Sequence, residues 1–234
     1  MTEKKVAILQ SNYIPWKGYF DIIASVDEFI FYDEMQYTKN DWRNRNKIKT
    51  PNGTQWISIP VITHGHITDN VRIMDAKIAD KKWAKSHWNT IAQFYKKAPY
   101  FQEYAPIFKE IYESLENEEF LCNVNYKFIY AILKILDIKT KVSFSTDYGL
   151  IEGKTERLVD LVQKAGGNEY ISGPAAQDYI KKELFDAAGI KLTWMDYSGY
   201  PEYPQLYPPF EHGISILDLI FNCGPNARKF MKGA

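Results

Sequence analysis

The chain has 234 residues, with 29 basic and 29 acidic side chains, so no global field draws it to nucleic acid or anionic lipid. Hydrophobic residues at 45% and charged ones at 25% suit a globular chain long enough to bury a sizeable core. The start MTEKKVAILQ lacks a signal-peptide run, no stretch reaches the roughly 18 apolar residues of a membrane span, and Cys122 and Cys223 lie far apart. A cytoplasmic protein without a membrane span is expected. Aromatics make up 15%, with 17 tyrosines, a composition common to cores and to sugar or nucleotide clefts.

Val6 to Leu9 is a short apolar run that predicts a buried strand. Gln10, Ser11 and Asn12 follow, then the punctuation Pro15, Trp16 and Gly18. Tyr19 to Val26 is amphipathic and leads to a second strand, Glu28 to Tyr32, which ends at Asp33. Strand, polar loop, short helix and strand make a βαβ unit, which places ligands at the carboxyl ends of its strands. Arg43, Arg45, Lys47 and Lys49 then alternate, so an extended segment puts all four cations on one face. Pro51-Asn52-Gly53 signals a turn, and Thr54 to Ile62 with Val71 to Met74 reads as an antiparallel excursion over about 54–75. His64 and His66, in the loop between, are separated by one residue, a weak metal signal, and read as a hairpin tip.

A helical insertion is expected over about 80–136. Asp80 is its N-cap; Ala84, Trp88, Ile91 and Tyr95 recur at helical spacing, and Pro99 closes the helix. Pro106 opens a second helix with Ile107, Ile111 and Leu115 inward, and a third runs from Asn123. Strands then return at Lys141 to Ser145, Glu169 to Ser172 and Leu192 to Tyr197, separated by helices. The expected fold is one α/β domain over 1–234, a mainly parallel, Rossmann-like sheet with an inserted helical segment.

In such a sheet the residues just past each strand share one rim. These include Gln10, Asn12, Tyr13, Asp33, Gln36, Ser172 and Gly173. Ser172 reads as the N-cap of a helix begun by Pro174, either an ordinary cap or a seat for phosphate or carboxylate. Arg43, Arg45, Lys47 and Lys49, which follow the rim at Asp33 and are interleaved with Trp42, Asn44 and Asn46, suit a diphosphate clamp somewhat better than the alternative, a charged edge strand. Tyr37 is a further stacking group beside them. Asp33 and His87 are the candidate bases, His87 being also the right kind of residue for a buried hydrogen bond. The chain has no Walker-type phosphate loop, no G-x-G-x-x-G fingerprint and no G-x-S-x-G elbow. No clustered metal ligands occur, and neither metal nor cofactor is expected.

The run QSNYIPWKGYFDIIASVDEFIFYDEMQYTKNDWRNRNKI resembles the opening of the WbqC-like family, and YISGPAAQDY, YPQL and SILDLIFNCG follow in that family's order. The resemblance spans nearly the whole chain. It implies a bacterial protein acting on a sugar precursor of O-antigen or another surface polysaccharide. The family's recurring positions fall here on Gln10, Tyr13, Pro15, Trp16, Gly18, Tyr19, Asp33, Gln36, Arg43, Asn44, Arg45, Ser172, Gly173, Gln205, Asp218 and Asn222. More distantly, strand, Pro- and Gly-bearing loop, helix and strand resembles the opening of the HIGH-motif nucleotidyltransferases and of pantothenate synthetase. Where those carry two histidines around a glycine, this chain reads Trp16-Lys17-Gly18-Tyr19, so an already activated donor fits better than activation by ATP.

Three readings follow. The first is a transferase of lipopolysaccharide biosynthesis that joins an amino acid or small acyl group by an amide bond to a nucleotide-linked amino sugar. Its partners are the nucleotide sugar and the acyl or aminoacyl donor. The second is a glycosyltransferase, although no D-x-D motif is present. The third is a non-catalytic module that binds a nucleotide sugar or RNA; four cations are a small footprint for nucleic acid. The oligomeric state is left open.

Overall fold

The computed structural model describes residues 3–62 and 71–233. In chain order come β1 (Lys5–Leu9), α1 (Lys17–Ala24), β2 (Glu28–Phe31), β3 (Arg45–Thr50), β4 (Gly53–Ser58), α2 (Trp83–Tyr95), α3 (Phe101–Ser114) and α4 (Leu121–Ile135). Then follow β5 (Lys141–Phe144), α5 (Thr155–Lys164), β6 (Glu169–Ser172), α6 (Lys182–Ala187), β7 (Lys191–Trp194) and α7 (Ile216–Cys223). Five strands build one sheet in the order β5-β2-β1-β6-β7, and every neighbouring pair is parallel. The fold is therefore α/β, with a mainly parallel sheet.

The central strand explains the layering. Its side chains alternate between faces. Ala7, with Phe29 and Phe31 of β2, packs into a core shared with α1, α7 and the helices α2 to α4. Val6 and Ile8, with Ile30 and Tyr32, pack against Leu158, Leu161 and Val162 of α5 and Phe185 of α6. Both faces are covered, as a parallel sheet requires. From β1 the chain builds outward through β2 to β5, then crosses by α5 to β6 on the other flank of β1. The direction of winding thus reverses between β1 and β6, where such sheets open a crevice at the carboxyl ends of their strands.

Three local expectations are corrected. β4 pairs with β3, from Arg45↔Ser58 to Thr50↔Gly53, rather than with 71–74. The two-residue turn Pro51-Asn52 folds the chain straight back on itself. Residues 71–78 join other segments by the isolated bridges Gln36↔Arg72, Val61↔Ile78 and Lys77↔Phe120. Pro106 lies inside α3, which starts at Phe101 and buries Phe108 while Ile107 is exposed. Burial of Phe101, Ala105, Phe108 and Ile111 outweighs the proline's missing N–H. Pro174 starts only a short 3-10 turn, Pro174–Asp178, whose cap is Gly173 with no side-chain bond, so Ser172 is not an N-cap. His64 and His66 lie outside the described residues. Among the described residues no helix is long and apolar enough to cross a membrane.

Candidate functional site

The loop after β1 is held from beneath by buried polar groups. Asp33, just past β2, accepts hydrogen bonds from the Ser11 backbone N–H (2.8 Å) and the Tyr126 hydroxyl of α4 (2.8 Å). Burial pushes the Asp33 pKa up, against these bonds and the nearby Arg43 charge. Asn125 donates to Ser11 Oγ (3.1 Å) and to the Arg43 carbonyl (2.9 Å), tying the loop to the turn before β3. The Tyr19 hydroxyl donates to the Gln10 carbonyl (3.0 Å). Fixed in this way, Gln10 and Asn12 aim their side-chain oxygens at one guanidinium. Arg43 donates to Gln10 Oε1 at 2.9 Å and to Asn12 Oδ1. Its other charged neighbour is the Asp41 carboxylate at 3.7 Å.

Two clefts lie beside the residues that Arg43 binds. One, of about 480 Å³, opens where the winding reverses and includes Gln10, Tyr32, Arg157, Ser172 and Tyr179. The other, of about 250 Å³, is walled by Asn12, Pro15, Trp16, Trp42 and Asn46. Gln10 lines the first and Asn12 the second, so Arg43, which lines neither, is hydrogen-bonded to one residue of each. The Trp16 indole packs edge-on against Tyr197, with centroids 5.1 Å apart. A third cleft, about 340 Å³, lies beyond Asp33 between the ends of β2 and β5.

The model of the WbqC-like protein family matches residues 10–230. The chain belongs to this family. "Uncharacterized protein Rv1507c" of Mycobacterium tuberculosis (strain ATCC 25618 / H37Rv) is 48% identical over 229 residues, spanning 98% of each chain. No solved structure matches the chain. The WbqC-like match starts at Gln10, the first rim residue, and takes in the loop, its supports and all of the lining of both clefts except Ile8 and Leu9.

The basic row of this WbqC-like chain does not form one face. Residues 41–44 make a turn, closed by the Asn44 N–H to the Asp41 carbonyl (3.2 Å), and only Arg45 onward is strand. Arg43 therefore swings to the rim. Arg45 lies over the Trp56 ring at 4.2 Å and Lys47 at 5.3 Å, while Lys49 is buried and donates to the Pro209 carbonyl. Trp42 is exposed beside Trp56, ring centroids 5.2 Å apart.

Other expected site residues sit elsewhere. Tyr13 is sealed in the core, 2.6 Å from the Tyr112 hydroxyl and 2.9 Å from His87 Nδ1. His87 is buried with it, and burial lowers its pKa to about 4. Tyr37 and Asn44 are buried, Asn44 donating to the Ile59 carbonyl. Gln36 is exposed and bridges to Arg72. Gln205 donates to Asp218 Oδ1 (2.9 Å) in a separate buried network. Ser172 and Gly173 do reach the larger cleft. Missed by sequence reasoning were Ser11, Asn125 and Tyr126 beneath the loop, and Lys154, Arg157 and Tyr179 around that cleft. Asn125 carried a signal: a polar residue on the apolar face that Leu121, Phe128 and Ile132 define.

Proposed function

We propose that this WbqC-like protein is a transferase in surface-polysaccharide precursor biosynthesis, joining an amino acid or small acyl group to a nucleotide-linked amino sugar. The observation that carries the reading is Arg43, shared by Gln10 of one cleft and Asn12 of the other. A two-substrate transfer needs two pockets with a common boundary, and a guanidinium there can hold an oxyanion of either substrate. The indoles of Trp16 and Trp42 offer the smaller cleft apolar faces suited to a sugar ring or acyl chain. Family membership supports the polysaccharide context.

In the transfer, the amine nitrogen attacks the carbonyl carbon of an already activated acyl donor. The new C–N bond forms as the bond to the donor's leaving group breaks, and the proton shed by the amine ends on that leaving group. Asp33 acts in this scheme through Ser11: both of its oxygens are engaged and it is 3% exposed, so it positions Gln10 and Asn12. His87 belongs to the core and takes no part.

The test is a panel of nucleotide sugars titrated into the protein, followed by mass analysis of products formed with acyl donors. Arg43→Ala is expected to weaken binding of the cognate nucleotide sugar about tenfold or more, since charge-assisted bonds contribute about 1.5–3 kcal/mol. Arg43→Lys recovers part of it, because the two-pronged donor is lost. A product with the mass of a glycoside rather than an amide would move the protein to the glycosyltransferases. Binding with no turnover for any donor would leave a binding module.

A further inference from the structure

The clefts on either side of β2 are charged oppositely. The cleft beyond Asp33 is lined by Asp33, Glu34 and Asp75, with no lysine or arginine among the described residues. The larger cleft, between β1 and β6, is lined by Lys154 and Arg157, with no carboxylate among the described residues. Of these two clefts, the one between β1 and β6 is therefore the one that suits an anion.

Neither cation is neutralised by a carboxylate of the described residues. Among the described residues Lys154 and Arg157 form no ion pair. Arg157 reaches the Tyr32 hydroxyl and Met35 Sδ (3.6 Å), and its Nε is buried without a hydrogen-bond partner. A buried guanidinium nitrogen left without an acceptor is unfavourable unless a ligand supplies one. At the mouth stands Tyr179, 58% exposed, a large ring held out towards solvent. Ser172 and Gly173 form the far wall at the end of β6, and Gln10 joins the cleft to Arg43.

We propose that the β1–β6 cleft is the nucleoside-diphosphate subsite, with Lys154 and Arg157 holding the phosphates and Tyr179 stacking on the base. This deepens the nucleotide-sugar reading and rests on it for the identity of the complete ligand. It also moves the diphosphate clamp from the Arg45 and Lys47 strand to the first turn of the helix that crosses between the sheet's two halves. Arg43 is then left at the sugar end, between the two pockets.

The experiment is calorimetric titration of the intact protein with ADP, GDP, CDP, UDP and inorganic pyrophosphate at one fixed salt concentration. At least one nucleoside diphosphate is expected to bind. Arg157→Ala weakens it tenfold or more, Arg157→Lys less, and Lys154→Ala several-fold. Tyr179→Ala weakens the nucleoside diphosphate and leaves pyrophosphate unchanged. If Arg157→Ala does not fold, Lys154→Ala and Tyr179→Ala, both at exposed positions, carry the test. Wild-type affinity in the Arg157 and Lys154 variants overturns the assignment, as does failure of every diphosphate to bind. Nucleotide sugars that bind and depend on Arg43 but not on Arg157 or Lys154 would sink this subsite alone. A diphosphate that needs Arg157 while no nucleotide sugar binds would keep the subsite and sink the transferase reading.

Discussion

Tyr13, His87 and Tyr112 form a hydrogen-bonded chain inside the molecule, walled by Trp83. Burial holds the His87 pKa near 4 instead of 6.5, while a bond to the Ser58 backbone works the other way. The sign follows from the folded state refusing a proton that the unfolded chain accepts. Stability from this histidine is complete above about pH 6.5 and is lost as pH falls towards 4. A shift of that size amounts to about 3 kcal/mol over the full window. His87→Gln is therefore expected to start less stable at pH 7, having lost fitted contacts, and to fall less on going to pH 5. Urea unfolding of both proteins at the two pH values measures it. Parallel falls would mean that His87 titrates in the folded protein as it does in the unfolded chain.

Gly18, two residues past Trp16, shows how an element serves the site. It lies in the first turn of α1, where replacing glycine by alanine ordinarily stabilises by about 1 kcal/mol. Here an added Cβ would sit 2.3 Å from Trp16 Cζ2. The indole has little room to yield, packed against Tyr197 and Tyr200 with centroids 5.1 and 5.9 Å away. Overpacking costs about 1–3 kcal/mol, so it wins. Gly18→Ala is expected to lower the melting temperature and to disturb tryptophan fluorescence, and a raised melting temperature would show that the indole moves freely. The same region marks what the sequence made legible. Runs such as VAIL and EFIF can bury both faces only as central strands, and the β1-α1-β2 unit followed from them. The charged row from Arg43 was read as one face because alternation carries no mark of where a strand starts, and the turn at 41–44 depends on backbone contacts. Lys154 and Arg157 were invisible for another reason. They reach the rim only because the chain crosses to the opposite flank of β1, and nothing local records that choice.

Asp218 ties distant parts of the molecule into one body. Fully buried on α7, it accepts from the Tyr95 hydroxyl of α2 (2.9 Å), the Tyr203 hydroxyl (2.8 Å) and Gln205 Nε2 (2.9 Å) of the C-terminal segment. Burial raises its pKa to about 6, even though those hydrogen bonds and the Lys49 charge favour the carboxylate. Its linkage is opposite to that of His87. The folded state binds the proton more tightly, so this contribution is complete below the unfolded value of 3.8 and is lost as pH rises through 6. Between pH 7 and 5 the two groups pull against each other, so the wild-type fall is expected to be larger than that of His87→Gln and smaller than that of an Asp218 variant. Asp218→Ala leaves two hydroxyls and an amide without their acceptor and is expected to destabilise by about 3 kcal/mol or more. Asp218→Asn keeps one acceptor oxygen and is milder. Because asparagine does not titrate, its deficit against wild type should widen as pH falls from 7 to 5. Chemical denaturation of the two proteins at both values decides it: a constant or narrowing deficit would mean that the carboxyl group is not held protonated by its burial.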